Sequence, residues 1–459
     1  MMPQFYWTDI MIWVLFALLL VGIRQIRNDS QKSSQWQKVF QSKTAMAAII
    51  VLAFYFLLAL ADSVHFTIEK NAKTEQTGLH QTDFTPLDLA LEHLVTKSER
   101  TYSAPFALNE YSTSIVYDES GQVKQSYLAL KHVALHIEQD ASKVGFDILK
   151  QTGWAFILAA IIMLVIMLIH GYFRFAAFTT KKAGEKVVKM PWLTAYLTGF
   201  ILVFIATWCY LLSFDYHVLG TNKVGDDVLY QSLKSIRTGV LIGGLTTIVM
   251  LPLALVLGIS AGYFKGWIDD VIQYLYTTLN SIPGVLLIAA AVLVMQSIIS
   301  TNADWFGSTE ERADLRLLFL ILILGITSWT GLCRLLRAET LKISQIEYVT
   351  AAKAFGLNPL TIIRRHIYPN LVHLIIIALV LDFSGLVLAE AVLSYVGVGV
   401  DPTTPSWGNM INQARLEMAR EPMVWWSLLS AFCFMFVLVL AANLFADRVQ
   451  WVLNPRSEK

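Results

Sequence analysis

Two carboxylates, Asp382 and Glu390, stand inside a long apolar stretch of the sequence. An ionisable side chain at membrane depth is costly, so such residues usually face a transport path or a polar partner. Eight positions separate the two, which places them about 80° apart on a helix, where they can share a face. The pattern therefore allows both side chains to line a path for polar solutes or protons, or to pair with a partner subunit, and both interpretations stay open.

The polar stretch 347–370, EYVTAAKAFGLNPLTIIRRHIYPN, separates two apolar segments. Gly356 predicts the left-handed end of a first short helix. Asn358 can cap a second helix, with Pro359 at its first position. We expect Pro369 to end this second helix before the next apolar run. The stretch is thus predicted to form two short helices joined by a tight turn.

Small residues give the first of these helices a shallow surface. Ala352 and Gly356 lie one turn apart and Ala351 is adjacent, so a foreign helix could approach closely there. The hydrogen-bond donors beside this surface are Arg364, Arg365 and His366. A docking element is one interpretation, and a loop whose basic residues only anchor the membrane interface is the other.

Motifs of an enzyme are missing from the sequence. No loop shows a nucleophile with its base, and no G-x-x-x-x-G-K-[S/T] phosphate loop is present. Gly258 and Gly262 follow no strand, so they are interpreted as sites of close helix packing. His132 and His136 would lie one turn apart if 126–150 forms an amphipathic helix, a spacing that can bind a metal but more often marks surface residues. We expect no catalytic residue, no metal site and no cofactor bound by this chain.

Composition places the chain in a membrane. Of its 459 residues, 56% are hydrophobic and 15% charged, whereas soluble domains are about a quarter charged. Helices are expected, because lipid leaves backbone groups no other partner. The predicted fold class is an all-α polytopic membrane protein with nine spans, at residues 9–23, 44–62, 151–172, 192–213, 237–262, 272–298, 315–333, 370–396 and 424–446.

Basic residues predict the orientation of these spans. Four basic regions fall on one side of the nine alternating helices, which the positive-inside rule makes cytoplasmic. The N-terminus is then outside, the C-terminus is cytoplasmic, and residues 63–150 form a small extracytoplasmic domain. The four regions are residues 24–43, 173–190, 334–369 and the tail after 446, which includes Arg448, Arg456 and Lys459.

The 347–370 stretch resembles the EAA loop of ABC importer permeases, in the form found in the dipeptide/oligopeptide/nickel permease family. That form reads approximately E-Y-V-x-A-A-x-x-x-G, then about nine residues, then H-x-x-P-N. Thr350 stands where the general motif has a Glu. The matching residues are Glu347, Tyr348, Val349, Ala351, Ala352, Gly356, His366, Pro369 and Asn370.

Further segments resemble the same family in the same order. They are HVLGTNKVGDDVL (217–229), GYFKGWIDD (262–270), SIPG (281–284), LAEAVLSYVGVGVDPTTPSWGNMI (388–411) and NLFADRVQWVLNPR (443–456). The resemblance covers residues 192–456 and implies a type I importer core of six helices, which leaves three helices and the extracytoplasmic domain as an N-terminal extension, residues 1–190.

The resemblance also implies partners and roles. A second, homologous permease subunit would complete the path, two cytoplasmic ATPases would bind the 347–370 helices and carry the ATP and Mg²⁺, and an extracytoplasmic binding protein would deliver the cargo. Glu390 and the segment with Pro405, Ser406, Trp407 and Gly408 would lie at the path or its outer gate. Peptides are the expected cargo, and nickel chelates or other small solutes are the alternative. An ion-coupled secondary transporter is a third possibility, although no inverted repeat is visible.

The expected organisation has four consecutive segments. Residues 1–62 hold two spans, 63–150 the extracytoplasmic domain, 151–190 the third span and a linker, and 191–459 the permease core. The extension could dock the binding protein, contact another membrane protein or brace the core, and the sequence does not rank these roles.

Overall fold

The computed structural model describes residues 2–4, 6–67, 83–117, 123–137, 139–180, 190–302, 306 and 308–453. Residues 181–189 of the predicted basic region 173–190, and the tail residues Arg456 and Lys459, lie outside this part of the chain. Within it, nine helices are long and apolar enough to span a membrane. The predicted all-α polytopic fold class is therefore confirmed.

Sixteen helices, α1 to α16, occur in the described part of the chain, and several extend beyond the predicted spans. In chain order they are Trp7–Asn28, Ser30–Phe40, Lys43–Ala61, Pro86–Ala90, Glu92–Thr96, Ala141–Thr180, Trp192–Leu212, Val228–Phe264, Trp267–Ser281, Gly284–Thr301, Thr309–Ile343, Glu347–Ala354, Pro359–Ile362, Tyr368–Tyr395, Trp407–Glu417 and Trp426–Leu453.

The predicted span 272–298 is wrong as a single helix. Helix α9 ends at Ser281 and α10 begins at Gly284, with Ile282 in an extended conformation at φ −93° and ψ 130°. Pro283 causes the break, because proline lacks the backbone N–H and disfavours a helical conformation at the residue before it. Only α10 remains long and apolar enough to be a candidate span here.

Residues 63–150 hold short elements rather than a long helix. Strands β1 (Met2–Gln4), β2 (His65–Thr67) and β3 (Asp83–Phe84) form an antiparallel sheet in that order, and β4 (Ser114–Tyr117) pairs with β5 (Val123–Ser126) as a hairpin. The helix predicted over 126–150 is wrong, since α6 begins only at Ala141. His132 and His136 therefore do not lie on one face of a helix, and each contacts a carboxylate instead. Nδ1 of His132 lies 3.4 Å from Glu99, and Nε2 of His136 lies 3.0 Å from Asp147.

Contacts group the chain into two compact units that do not follow chain order. Unit 1 comprises residues 1–5, 36–238 and 405–441, and unit 2 comprises 6–35, 239–404 and 442–459. One core of unit 1 joins Leu87, Leu94, Val133, Tyr216 and Leu229. The extension residues 83–137 are thus packed together with the segment that begins α8.

The core of unit 2 lies under the 347–370 stretch. It joins residues of α8, α9 and α11 to residues of α12, α13 and α14, among them Tyr276, Cys333, Leu336, Val349 and Leu371. Helix α1 packs on α11 in the same unit, where the backbone N–H of Thr8 donates to Asp314 over 3.2 Å. The 347–370 stretch is therefore built on helices of its own unit.

Candidate functional site

The first helix of the 347–370 stretch ends as its sequence predicts. Helix α12 stops before Phe355, and Gly356 takes the left-handed conformation at φ +72°. The N–H of Leu357 then donates to the carbonyl of Ala352 over 3.2 Å. This closes the helix end, and glycine adopts the required conformation without steric cost.

The second helix starts as predicted but does not stop at Pro369. Asn358 accepts the N–H of Leu360 at 3.0 Å, and Pro359 occupies the first turn. A π-helical turn, Ile363–Ile367, then leads directly into α14. The predicted end at Pro369 is wrong, because this proline stands at the start of α14, where a missing N–H is tolerated.

The inner face of this stretch is buried against unit 2. Val349, Ile362 and Ile367 are fully buried there, and Ala352 is only 6% exposed. The prediction that Ala351, Ala352 and Gly356 share one open surface is therefore wrong for Ala352. Helical spacing identified the small residues, but it could not show which of them turns toward the chain's own core.

The outer face carries charge and a large apolar surface. Ala351, Gly356 and Glu347 are exposed, as are Arg364 and Arg365. Neither guanidinium has an ion-pair partner within the described part of the chain. Phe355 is 87% exposed and Leu360 69%. Our sequence reasoning missed these two side chains, although a phenylalanine directly before the turn glycine was a visible signal.

Three of the motif residues connect the two helices. The side-chain amide of Asn370 donates to the hydroxyl of Tyr348 at 3.1 Å and to the carbonyl of His366 at 2.6 Å. The rings of Tyr348 and His366 lie 5.9 Å apart. The ammonium of Lys353 lies 4.4 Å above the ring of Tyr263, which fastens α12 to α8. His366 and Asn370 therefore hold the shape of the segment.

Helix α8 lies in close contact with α11 beneath this segment. A Cβ on Gly258 would approach the carbonyl of Cys333 to 2.8 Å, and one on Gly262 would approach Cβ of Thr340 to 2.6 Å. The predicted close helix packing at both glycines is confirmed. Arg337 adds a bidentate contact of 2.5 and 2.7 Å to Asp269, so α9 is fixed to α11 as well.

The two carboxylates of α14 differ in their surroundings. Glu390 is 3% exposed and accepts a hydrogen bond from Ser394 at 2.8 Å. Asp382 is half-buried, and within the described residues its carboxylate has no hydrogen-bond or ion-pair partner. A role of either residue in the transport path stays a prediction.

The segment with Pro405, Ser406, Trp407 and Gly408 is seated inside unit 1. Ser406 caps α15 by accepting the N–H of Asn409 at 3.0 Å. The carbonyl of Pro405 accepts from Thr238 at 2.7 Å. Trp407 is 1% exposed, its indole N–H donates to the carbonyl of Ser232 at 3.1 Å, and Gly408 is buried beside it. These contacts fix the start of α15 against α8.

The 217–228 loop of unit 1 is held by the extension. Nδ1 of the buried His217 lies 2.7 Å from Asp227, and Nε2 lies 3.8 Å from Glu99. Burial lowers the pKa of His217, but hydrogen bonds and charge from both carboxylates outweigh this effect and raise it to about 9. The histidine is therefore a buried cation shared by the loop and the extension.

Glycines allow the extension to approach this loop closely. A Cβ on Gly225 would collide with the carbonyl of Glu99, and one on Gly220 would approach the carbonyl of Ser103 to 2.5 Å. The N–H of Ser103 also donates to Thr221 at 2.6 Å. No pattern in the sequence indicates these contacts, which bring together residues more than a hundred positions apart.

Comparisons with known proteins agree with this architecture. Residues 254–459 match the family described as the binding-protein-dependent transport system inner membrane component. The glutathione transport system permease protein GsiD of Pectobacterium atrosepticum is 29% identical over 302 residues, which cover 59% of this chain and 93% of that protein.

Two further relatives are named for peptide transport. The oligopeptide transport system permease protein OppC of Mycobacterium bovis is 29% identical, over 52% of this chain and 76% of its own length. The dipeptide transport system permease protein DppC of Bacillus subtilis is 27% identical, over 52% of this chain and 69% of its own length. The family match over residues 254–459 and these relatives support an OppC/DppC-like permease subunit of a binding-protein-dependent ABC importer.

Proposed function

We propose that this chain forms half of the translocation path of an ATP-driven importer of di- or oligopeptides. Relatives named for oligopeptide, dipeptide and glutathione transport support a peptide cargo. The subunit itself transmits the energy of ATP without hydrolysing it, through residues 347–370. It assembles with a second permease subunit, two cytoplasmic ATPases and an extracytoplasmic binding protein.

The exposed surface of the 347–370 segment carries this proposal. Phe355 and Leu360 present apolar side chains, with Arg364 and Arg365 nearby in sequence, while the opposite face is anchored in the core of unit 2. An apolar anchor with flanking guanidinium groups suits a groove that has an acidic rim. We assign this surface to the ATPase, whose conformation can bias the permease only through contacts that differ between states.

A multi-pass protein of the inner membrane is consistent with the nine apolar helices and the family. In our proposal the N-terminus is outside and the 347–370 segment and C-terminus are cytoplasmic, as the basic regions predict. Asp382 and Glu390 would then face the path, and Pro405–Gly408 would lie near its outer gate. The clustering of positive charge is the support for this orientation.

Replacing one exposed side chain tests the coupling. Phe355→Asp should leave the protein in the membrane but abolish co-purification with the ATPases and peptide uptake, because it puts a carboxylate into an apolar contact. Ile115→Asp is the matched control, since Ile115 is 65% exposed on β4, in the part predicted to lie outside. Normal ATPase binding and uptake by Phe355→Asp would contradict the coupling proposal.

Reconstituted transport tests the cargo and the energy source. Proteoliposomes with both permeases, the ATPases and the binding protein should accumulate labelled di- and oligopeptides only when ATP is supplied. Uptake driven by a proton gradient without ATP would instead favour an ion-coupled transporter. ATP-driven uptake of nickel chelates, without uptake of peptides, would support the ATP-driven importer but contradict the peptide cargo.

A further inference from the structure

Unit 1 contains an apolar cavity of about 480 Å³ between helices of the extension and helices of the permease core. Helices α3 and α4 form one side, and α7, α8 and α16 form the other. Its volume falls within the roughly 300–1,000 Å³ of ordinary ligand pockets. Representative lining residues are Tyr55, Leu87, Ala206, Cys209, Leu233 and Cys433.

Water is not a suitable occupant of this cavity. The hydroxyl of Tyr55 donates to the carbonyl of Phe434 at 3.0 Å, and those of Thr207 and Ser213 donate to carbonyls of α7 at 2.8 and 2.7 Å. A buried water needs two to four polar partners, and each of these hydroxyls has already used its only proton on a carbonyl. The cavity therefore favours an apolar occupant. If it were empty, the side chains that line it would lose van der Waals contacts.

The cavity opens sideways along membrane-spanning helices. Ile205 is 50% exposed, Tyr210 41% and Val437 38%, although each belongs to its lining. The material that surrounds such helices is the lipid bilayer. A partner helix is a poor fit, because a helix about 10 Å across rises 5.4 Å per turn and only about one turn would occupy this volume.

Polar groups stand at one end of the cavity, where α7 ends. Nε2 of His93 lies 2.6 Å from the hydroxyl of Ser213, which is part of the lining. The ring of His93 stacks on Phe214 at 4.0 Å, and Lys97 donates to the carbonyl of Phe214. An apolar slot with a polar mouth matches a molecule with a hydrocarbon chain and a polar head.

We propose that this cavity binds one acyl chain of a membrane phospholipid, with the head group at the mouth beside His93, Ser213 and Lys97. The bilayer supplies this molecule directly through the side opening. Filling the slot adds van der Waals contacts to the walls formed by α3, α4, α7 and α16, so the lipid strengthens the packing of the extension on the permease core. The assignment does not depend on the cargo or on the ATPases.

Photolabelling of the full-length protein in lipid nanodiscs tests this assignment. The probe is a phosphatidylethanolamine with a diazirine in its acyl chain, and labelled peptides are mapped by mass spectrometry. Label should concentrate on residues 54–58, 202–213 and 433–437, above the level on the lipid-exposed face of α6. An even distribution over all exposed spans would show ordinary boundary lipid and overturn the proposal.

Two variants fill the cavity from two different helices, α7 and α16. Ala206→Trp and Cys433→Trp should each reduce the concentrated label to the level of α6. Ile201→Trp is the control, because Ile201 is 47% exposed on α7 but outside the lining, and its labelling pattern should stay unchanged. Unchanged labelling in both filled variants would contradict the site, and labelling by a diazirine fatty acid but not by the phospholipid would exclude a phospholipid as the occupant.

Discussion

The phenol of Tyr102 donates a 2.7 Å hydrogen bond to the carboxylate of Glu417, although 315 positions separate the two residues. Both side chains are buried, and the guanidinium of Arg420 lies 5.0 Å above the Tyr102 ring. Tyr102 belongs to the extension, and Glu417 ends helix α15, which begins at Trp407. The extension therefore contacts the end of α15 within unit 1, which supports bracing among the three roles considered for it.

Removing the hydroxyl group of Tyr102 should destabilise the protein. In Tyr102→Phe the buried carboxylate of Glu417 loses its partner, at a cost of about 1–3 kcal/mol. A lower Tm of the purified protein in detergent would report the loss. Tyr127→Phe is the matched control, because Tyr127 is 58% exposed in the same part of the chain and should keep its Tm. Equal Tm values for Tyr102→Phe and the unaltered protein would remove the bracing interpretation of this contact.

Alkaline pH should weaken the ion pairs of His217 that connect the extension to the 217–228 loop. Because the pKa of His217 is raised from 6.5 to about 9 in the folded protein, its stabilisation is complete below pH 6.5 and is lost as the pH rises through 9. The loss amounts to about 3 kcal/mol. Tm measured between pH 6.5 and 9.5 should fall accordingly.

His217→Gln supplies the comparison for this pH dependence. The variant should be less stable at neutral pH, where it lacks the cation between Asp227 and Glu99, and its Tm should change little over the same range. An alkaline fall in Tm as steep as that of the unaltered protein would show that another group is responsible.

Helix packing beneath the 347–370 segment gives a third prediction. In Gly262→Ala the new Cβ would meet Thr340 and the carbonyl of Arg337, 2.6 and 2.7 Å away. Because backbone atoms must shift, we expect a loss of about 1–3 kcal/mol in stability, seen as a lower Tm. Gly153→Ala has nothing within 4 Å and should be neutral or slightly stabilising. Equal behaviour of the two variants would contradict the close approach of α8 to α11.

Local chemistry in the sequence predicted much of the structure of the 347–370 segment. The Gly356 turn and the Asn358 cap depend on neighbouring residues alone, and the spans depend on runs of apolar residues, so both could be derived without a fold. The break at Pro283 was also accessible, since proline disfavours a helix locally, but the apolar run around it favoured a single span.

Long-range packing could not be derived in the same way. The burial of Ala352 depends on where α9 and α11 lie, and the contacts of Glu99, Tyr102 and Ser103 depend on distant loops. Hydrophobic periodicity identifies a face of a helix, but not the partner of that face. For the same reason Phe355 and Leu360 were missed, because nothing in their spacing shows that no other helix of unit 2 covers them.

The backbone conformation at Gly356 allows the shape of the 347–370 segment to be tested separately from its exposed side chains. A Cβ at this position would have nothing within 4 Å, yet φ is +72°. Gly356→Val should therefore distort the turn through backbone strain of about 1–2 kcal/mol, with loss of ATPase association and of uptake. Gly356→Asn should retain most of both activities, because asparagine tolerates this conformation. Membrane insertion and abundance should be equal in the two variants. Should Gly356→Val transport peptides as well as Gly356→Asn does, the left-handed turn has no part in coupling, and the exposed side chains of Phe355 and Leu360 would have to act without it.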